Sequence, residues 1–148
     1  CNACGLNRKS FYYHFQDKYE LINWIYYTEF AKDNFEKNIK DEWGLMEKVC
    51  QYFYDNRDFY VKAFRIKGQN SFIDYFFSVV FSVISSLLED AFPQEPSVAP
   101  YAEFYTDAFV CSLKKWLSKK DCVSPHEFCL FLQKAILGLS QYYDNISN

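Results

Sequence analysis

The spacing of apolar residues is the feature that most restricts this chain. Near its end Phe128, Phe131, Leu132, Ala135, Ile136, Leu139, Tyr142 and Tyr143 fall at the three- and four-residue spacings that line one face of an α-helix. Ser124-Pro125-His126-Glu127 precedes them, giving a capping Ser, Pro at the first helical position and Glu to complete the box. Tyr101, Phe104, Tyr105, Ala108, Phe109, Ser112 and Trp116 form a similar stripe, and so do Leu45, Val49, Tyr52 and Phe53. Leu21, Trp24, Ile25, Thr28, Ala31 and Phe35 form another behind the capping sequence Asp17-Lys18-Tyr19-Glu20. No segment alternates with the period of two that a strand requires. The 148 residues include only four Gly and four Pro, three of the prolines between Pro93 and Pro100, so helix breakers are few and the tight turns of a β protein are missing. The expected fold class is all-α.

The same signals set the helix boundaries. A short helix is expected from about Arg8 to His14, with Asn7 as its cap, and a second opens at Asp17. A third covers roughly Glu42 to Asn56, Arg57-Asp58 breaks it, and a short helix follows to Ile66. The stretch from Ser71 to Phe92 is apolar almost all round, which predicts the central and most buried helix. Two long helices follow the Pro93–Pro100 loop.

Composition narrows the class. Half of the residues are hydrophobic, and 16 Phe, 13 Tyr and 3 Trp bring the aromatic share to 22%. That is ample for a core and unlike a disordered chain. A net charge of −3 argues against a protein that coats nucleic acid over its whole surface, but leaves room for a local basic site. Cys50, Cys111 and Cys129 lie within apolar helical patterns and no signal peptide is visible, so the six cysteines read mostly as small buried hydrophobes in a reducing cytosol. The most apolar run, Phe72 to Leu88, is interrupted by Asp74, Ser78, Ser82, Ser85 and Ser86, so no membrane span is expected and the location expected is cytoplasmic. A chain opening on Cys1 instead of Met is expected to lack N-terminal residues.

Residues 7 to 18, Asn-Arg-Lys-Ser-Phe-Tyr-Tyr-His-Phe-Gln-Asp-Lys, are the informative segment for function. Phe11 and Phe15 are four apart and share a face, so they can anchor the short helix to a core. Tyr12, Tyr13 and His14 then point largely elsewhere. Arg8 and Lys9 occupy the first turn, where positive charge opposes the helix dipole. A polyanion docking at this end would reverse that penalty, with Arg8, Lys9, Ser10 and the ring hydroxyls facing phosphates and base edges. The alternative is a solvated helix start with a scattered aromatic surface, and the residues alone leave both open.

The run GLNRKSFYYHFQDKYELI resembles the end of the helix-turn-helix of the TetR/AcrR family of transcription regulators. The resemblance rests on Gly5, Leu6, Asn7, Ser10, Phe11, Tyr12, His14, Phe15, Lys18 and Leu21. It implies that residues 1–18 are the C-terminal part of a DNA-binding domain and 19–148 an effector-binding and dimerisation domain. It further implies that Arg8, Lys9, Ser10 and Tyr13 face double-stranded operator DNA, that Tyr12, His14 and Lys18 hold phosphates, and that the last two helices pair in a homodimer. Together with FYTDAFVCSLKKWL and SPHEF, the sequence is most similar to a Firmicutes-type subgroup that includes activators of dihydroxyacetone-kinase operons. In the family a first helix and most of a second come before the stretch at Cys1-Asn2-Ala3-Cys4. The fragment as written therefore lacks the scaffold of its reading helix, and DNA binding is expected of the full-length protein.

Other chemistries have less to stand on. Cys1-x-x-Cys4 would need two further zinc ligands, and Cys122 and His126 lie at the far end of the chain, so no metal is expected. His14 and His126 are far apart in sequence. No nucleophile–base motif, Gly-rich phosphate loop or HExxH occurs, and Glu89-Asp90 reads as a solvated helix end, so neither an enzyme nor a cofactor is expected. Tyr52, Tyr54, Tyr60, Tyr75, Phe76, Phe77 and Phe81 could line an apolar cavity for a small-molecule effector, or they could fill a core. A helical interaction module or co-regulator without DNA binding is the second functional reading. The residues upstream of Cys1 would separate it from the first.

Overall fold

The computed structural model of the protein describes residues 8–35, 41–68 and 71–146; of Arg8 and residues 139–146 it describes the backbone alone. Helix α1 is Arg8–His14. Helix α2, Lys18–Tyr26, passes through a π-helical turn at Tyr27–Ala31 into α3, Lys32–Phe35. Helices α4, Glu42–Asp55, and α5, Arg57–Ala63, meet at Asn56. Then come α6, Phe72–Ala91, α7, Ala99–Ser118, and α8, Pro125–Ile146. The described residues contain no strand, and the fold is all-α as the spacing predicts.

The helix starts follow side-chain chemistry. Ser124 and Glu127 form a reciprocal box: the Ser124 backbone N–H donates to Glu127 Oε2 at 3.0 Å, and the Glu127 N–H donates to Ser124 Oγ at 3.3 Å. These bonds to Ser124 hold the Glu127 carboxyl below its ordinary range. The Asp41 carboxylate accepts from the Gly44 N–H at 2.8 Å. A Cβ on Gly44 would lie 2.1 Å from Asp41 Oδ2, so the absence of a side chain there leaves room for the cap. Gly68, at φ 147°, takes a backbone conformation that side chains disfavour and turns the chain ahead of α6.

The chain divides into two compact units, one of residues 1–37 and 62–110, the other of 38–61 and 111–148. Interlocked rings build the first. Tyr26, Phe72 and Phe76 are wholly buried. The Tyr26 ring meets Phe72 at 5.5 Å and Phe76 at 5.6 Å, both edge to face, and Phe64 meets Phe72 at 5.3 Å. Edge-to-face and tilted pairs at these separations suit the ring quadrupole.

In the second unit, α7 returns through a short loop to α8. The Trp116 and Phe128 rings stack at 4.4 Å with 4° between their planes. The Trp116 indole N–H donates to the Val123 carbonyl at 2.9 Å, satisfying a polar atom that burial would otherwise strand. Arg57 Nε donates to the Leu117 carbonyl at 2.7 Å, and its guanidinium also donates to the Lys119 carbonyl. The last turn of α7 is therefore capped by a side chain 60 residues away. The Tyr52 and Tyr60 hydroxyls bond at 2.7 Å.

Four expectations change. The buried face of α2 and its continuation carries Tyr26, Phe30 and Ala31, whereas Trp24, on the expected stripe, is 53% exposed. Thr28 Oγ1 donates back to the Trp24 carbonyl at 2.8 Å, and the π turn shifts the helical phase away from a strict 3.6-residue stripe. Helix α6 is not the most buried: only Phe72, Phe76 and Val80 are buried, all in its first half. At 20 residues it is also long and apolar enough to cross a membrane by length and composition, because its serines interrupt charge-free hydropathy too little to disqualify it. Cys111 is exposed, while Cys50 and Cys129 are buried.

Truncating Phe76 to Ala removes a ring that touches four others. The expected cost is about 3–5 kcal/mol, read as a lowered urea midpoint with an unchanged denaturant slope.

Candidate nucleic-acid interface

Helix α1 is held by two rings. Phe11 and Phe15 are half-buried, with centroids 5.8 Å apart, and Phe15 lies edge-on to Trp24 of α2 at 5.7 Å. The exposed Trp24 is thus the platform on which α1 ends. The backbone closes the same junction, with the Phe15 N–H donating to the Phe11 carbonyl at 3.0 Å.

The turn into α2 is organised by carboxylates. Asp17 Oδ1 accepts from the Tyr19 N–H at 2.7 Å and from the Glu20 N–H at 2.9 Å. Glu20 Oε2 accepts from the Gln16 N–H at 2.5 Å. The expected capping box is present with its return bond one residue early, on Gln16 in place of Asp17. Placing Glu20 in the first turn also suits the helix dipole.

With the two phenylalanines turned inward, the remaining side chains face solvent. Lys9, Ser10, His14 and Lys18 are exposed, Tyr12 is 57% exposed and Tyr13 is 86% exposed. The Tyr13 and His14 rings meet edge to face at 5.0 Å. Lys18 Nζ sits 5.1 Å from the Tyr19 ring centroid, within cation–π range. Six of the seven expected contact residues thus share one short, outward-facing segment. The side chain of the seventh, Arg8, lies outside the described residues, as do Cys1, Cys4, Gly5, Leu6 and Asn7.

Of the two readings left open for the seven rings, cavity or core, those with packing partners take the core. Tyr60 and Phe76 are buried in ring-on-ring packing, and Tyr54 stacks on Trp116 at 5.9 Å. A polar cavity of about 460 Å³ lies instead in the first unit, lined by Gln16, Asp17, Glu20 and Asn23 from the start of α2 and by Asp74, Tyr75 and Ser78 from α6. Of the expected rings only Tyr75 borders it, and partial burial pushes that phenol up from its ordinary value. Sequence spacing missed this cavity because its two walls lie more than fifty residues apart. The one local signal was that both walls begin with capping residues, Asp17 in α2 and Ser71-Asp74 in α6.

The family model for the transcriptional regulator C-terminal region, of the TetR type, matches residues 41–138. The chain belongs to this TetR-type family of transcription regulators. The match is to the C-terminal region and specifies no subgroup. Comparison with curated proteins and with solved structures returns no match.

Replacing Asp17 with Ala removes the acceptor of two first-turn amides. The expected loss is about 1 kcal/mol, with faster hydrogen exchange concentrated at the Tyr19 and Glu20 amides.

Proposed function

We propose that this chain is part of a bacterial, cytoplasmic DNA-binding regulator that acts as a two-fold dimer under effector control. The observation that carries the reading is the way α1 is anchored. Phe11 and Phe15 hold the helix against Trp24, while Lys9, Ser10, Tyr12, Tyr13 and His14 are exposed. Lys9, Ser10 and Tyr13, with Arg8, would reach base edges, and Tyr12, His14 and Lys18 would hold phosphates. Family membership supports the regulatory half of this reading.

Dimerisation is supported by apolar surface left uncovered in one chain. Helix α7 exposes Tyr101, Phe104 and Tyr105, with Phe104 at 68%, and α8 exposes Leu130, Phe131, Ile136 and Leu137. Exposed Ala108 and Ala135 and half-buried Ser112 offer small positions for close helix approach. A two-fold dimer would set two reading helices on half-sites about 34 Å apart. An effector seated in the polar cavity would touch Gln16, Asp17 and Glu20, the residues that organise the turn after α1. It would act by binding the two dimer states with different affinity.

The test is fluorescence anisotropy on the full-length protein with duplex DNA over a salt series. Binding should fall steeply with salt. The double change Tyr12→Phe and Lys18→Ala should weaken it about equally on all sequences and flatten the salt slope by about 1, the share of the single lost charge. Unchanged affinity in that variant overturns the phosphate contacts, and absence of binding at every salt concentration favours the interaction-module reading. For the dimer, light scattering should give twice the chain mass, and Phe104→Asp combined with Phe131→Asp should halve it.

A further inference from the structure

Two buried thiols in the second unit have no part in DNA reading. The His126 imidazole and the Glu47 carboxylate meet at 3.0 Å across 79 residues of chain, which sets the register of α8 against α4. One helical turn further along each helix, at the same separation of 79, stand Cys129 and Cys50. Equal steps in the same direction mean that the two helices run parallel at this contact. Both cysteines are buried, Cys50 beside Val49 and Phe53 on α4 and Cys129 beside Phe128 and Leu132 on α8. The register therefore places the two cysteines on the facing, buried sides of α4 and α8.

The two thiols differ in access: Cys129 is 4% exposed and Cys50 0%, so Cys129 meets an incoming oxidant first. The neighbouring Cys129 thiol and burial push Cys50 above the ordinary thiol range. A thiol that an oxidant can reach, with a second thiol held against it, is the arrangement of an attacking and a resolving sulfur. A metal site is a poorer fit, because the described residues hold no group of three or more His, Cys, Asp or Glu that could ligate one.

We propose that Cys50 and Cys129 form an oxidisable dithiol that closes to an intramolecular disulfide on reaction with a small peroxide. The Cys129 thiolate attacks a peroxide oxygen, the O–O bond breaks, and the departing hydroxide takes up the proton that Cys129 released, leaving as water. The Cys50 sulfur then attacks the resulting sulfenic sulfur. Its proton goes to the leaving hydroxyl, and a second water departs. Two thiols and hydrogen peroxide thus become one disulfide and two waters. A disulfide needs Cα atoms about 4.4–6.8 Å apart, a range that facing Cα atoms reach when packed helix axes lie about 8–10 Å apart, so ordinary helix packing is compatible with closure. Burial restricts the chemistry to small uncharged oxidants, and a bulky anionic thiol reagent should label the exposed Cys111 first.

The test treats the native full chain with hydrogen peroxide, alkylates the remaining thiols in denaturant and maps the peptides by mass spectrometry. The expected result is a linked pair of peptides containing Cys50 and Cys129, two hydrogens lighter, within one chain and reversed by dithiothreitol. The linked pair should persist when Cys111 and Cys122 are both changed to Ser and vanish in Cys129→Ser. Peptide mapping of the unaltered chain decides the matter even if the Cys129 variant does not fold. Recovery of Cys50 and Cys129 fully alkylated while Cys111 is oxidised would overturn the proposal. So would finding either one linked only to another cysteine. No DNA enters the measurement, so its outcome is independent of the regulator reading.

Discussion

Ring-on-ring packing around Tyr26 is the interaction on which the first unit depends. Tyr26 sits in the last turn of α2, and its ring is clasped by Phe72 and Phe76 of α6. Because α2 begins with the capped turn that follows α1, this contact fixes in space the point from which the exposed segment projects. Large rigid rings lose little rotamer freedom on burial and contribute large contact areas. A chain with few aliphatic alternatives at these positions can therefore hold a short seven-residue helix in place. Phe11, Phe15 and Trp24 repeat the device on a smaller scale, with the anchor now a half-exposed indole.

Capping carboxylates and hydroxyls connect architecture to function more directly than the hydrophobic core does. Asp17 and Glu20 bind backbone amides at the turn, and Asp74 binds Ser71 at the start of α6. The same three acids border the polar cavity. A group entering that space would compete with bonds that shape the junction between α1 and α2.

Helix identity and helix starts were legible from spacing and caps, since both depend on residues within a turn of each other. The Ser124–Glu127 box and the Asp17 cap form as expected. What depended on partners distant in sequence was less legible. The buried face of α2 falls on Tyr26 because Phe72 and Phe76 of α6 receive its ring, and a stripe read at 3.6 residues per turn has no way to register the wider turn at Tyr27–Ala31 that follows. The apolar run of α6 suggested deep burial, but hydropathy records what a residue prefers and not what is available to cover it. The outward placement of Lys9, Ser10, Tyr12, Tyr13 and His14 could be inferred because Phe11 and Phe15 fix the phase of α1. The cavity and the facing thiols could not, since each needs the register of two helices that the chain brings together from afar.

The parallel run of α4 and α8 has a consequence for how the chain is made. Antiparallel helices can be joined by a short hairpin, but parallel neighbours require the chain to travel back first. Here 79 residues separate Glu47 from His126, and the segment 62–110, which belongs to the other unit, comes between them in sequence. The face of α4 that α8 covers can be buried only after those 79 residues have been made. Loop closure over such a span is entropically slow. The α4–α8 contact is thus the one in the second unit that carries this loop-closure cost, which local helix formation does not.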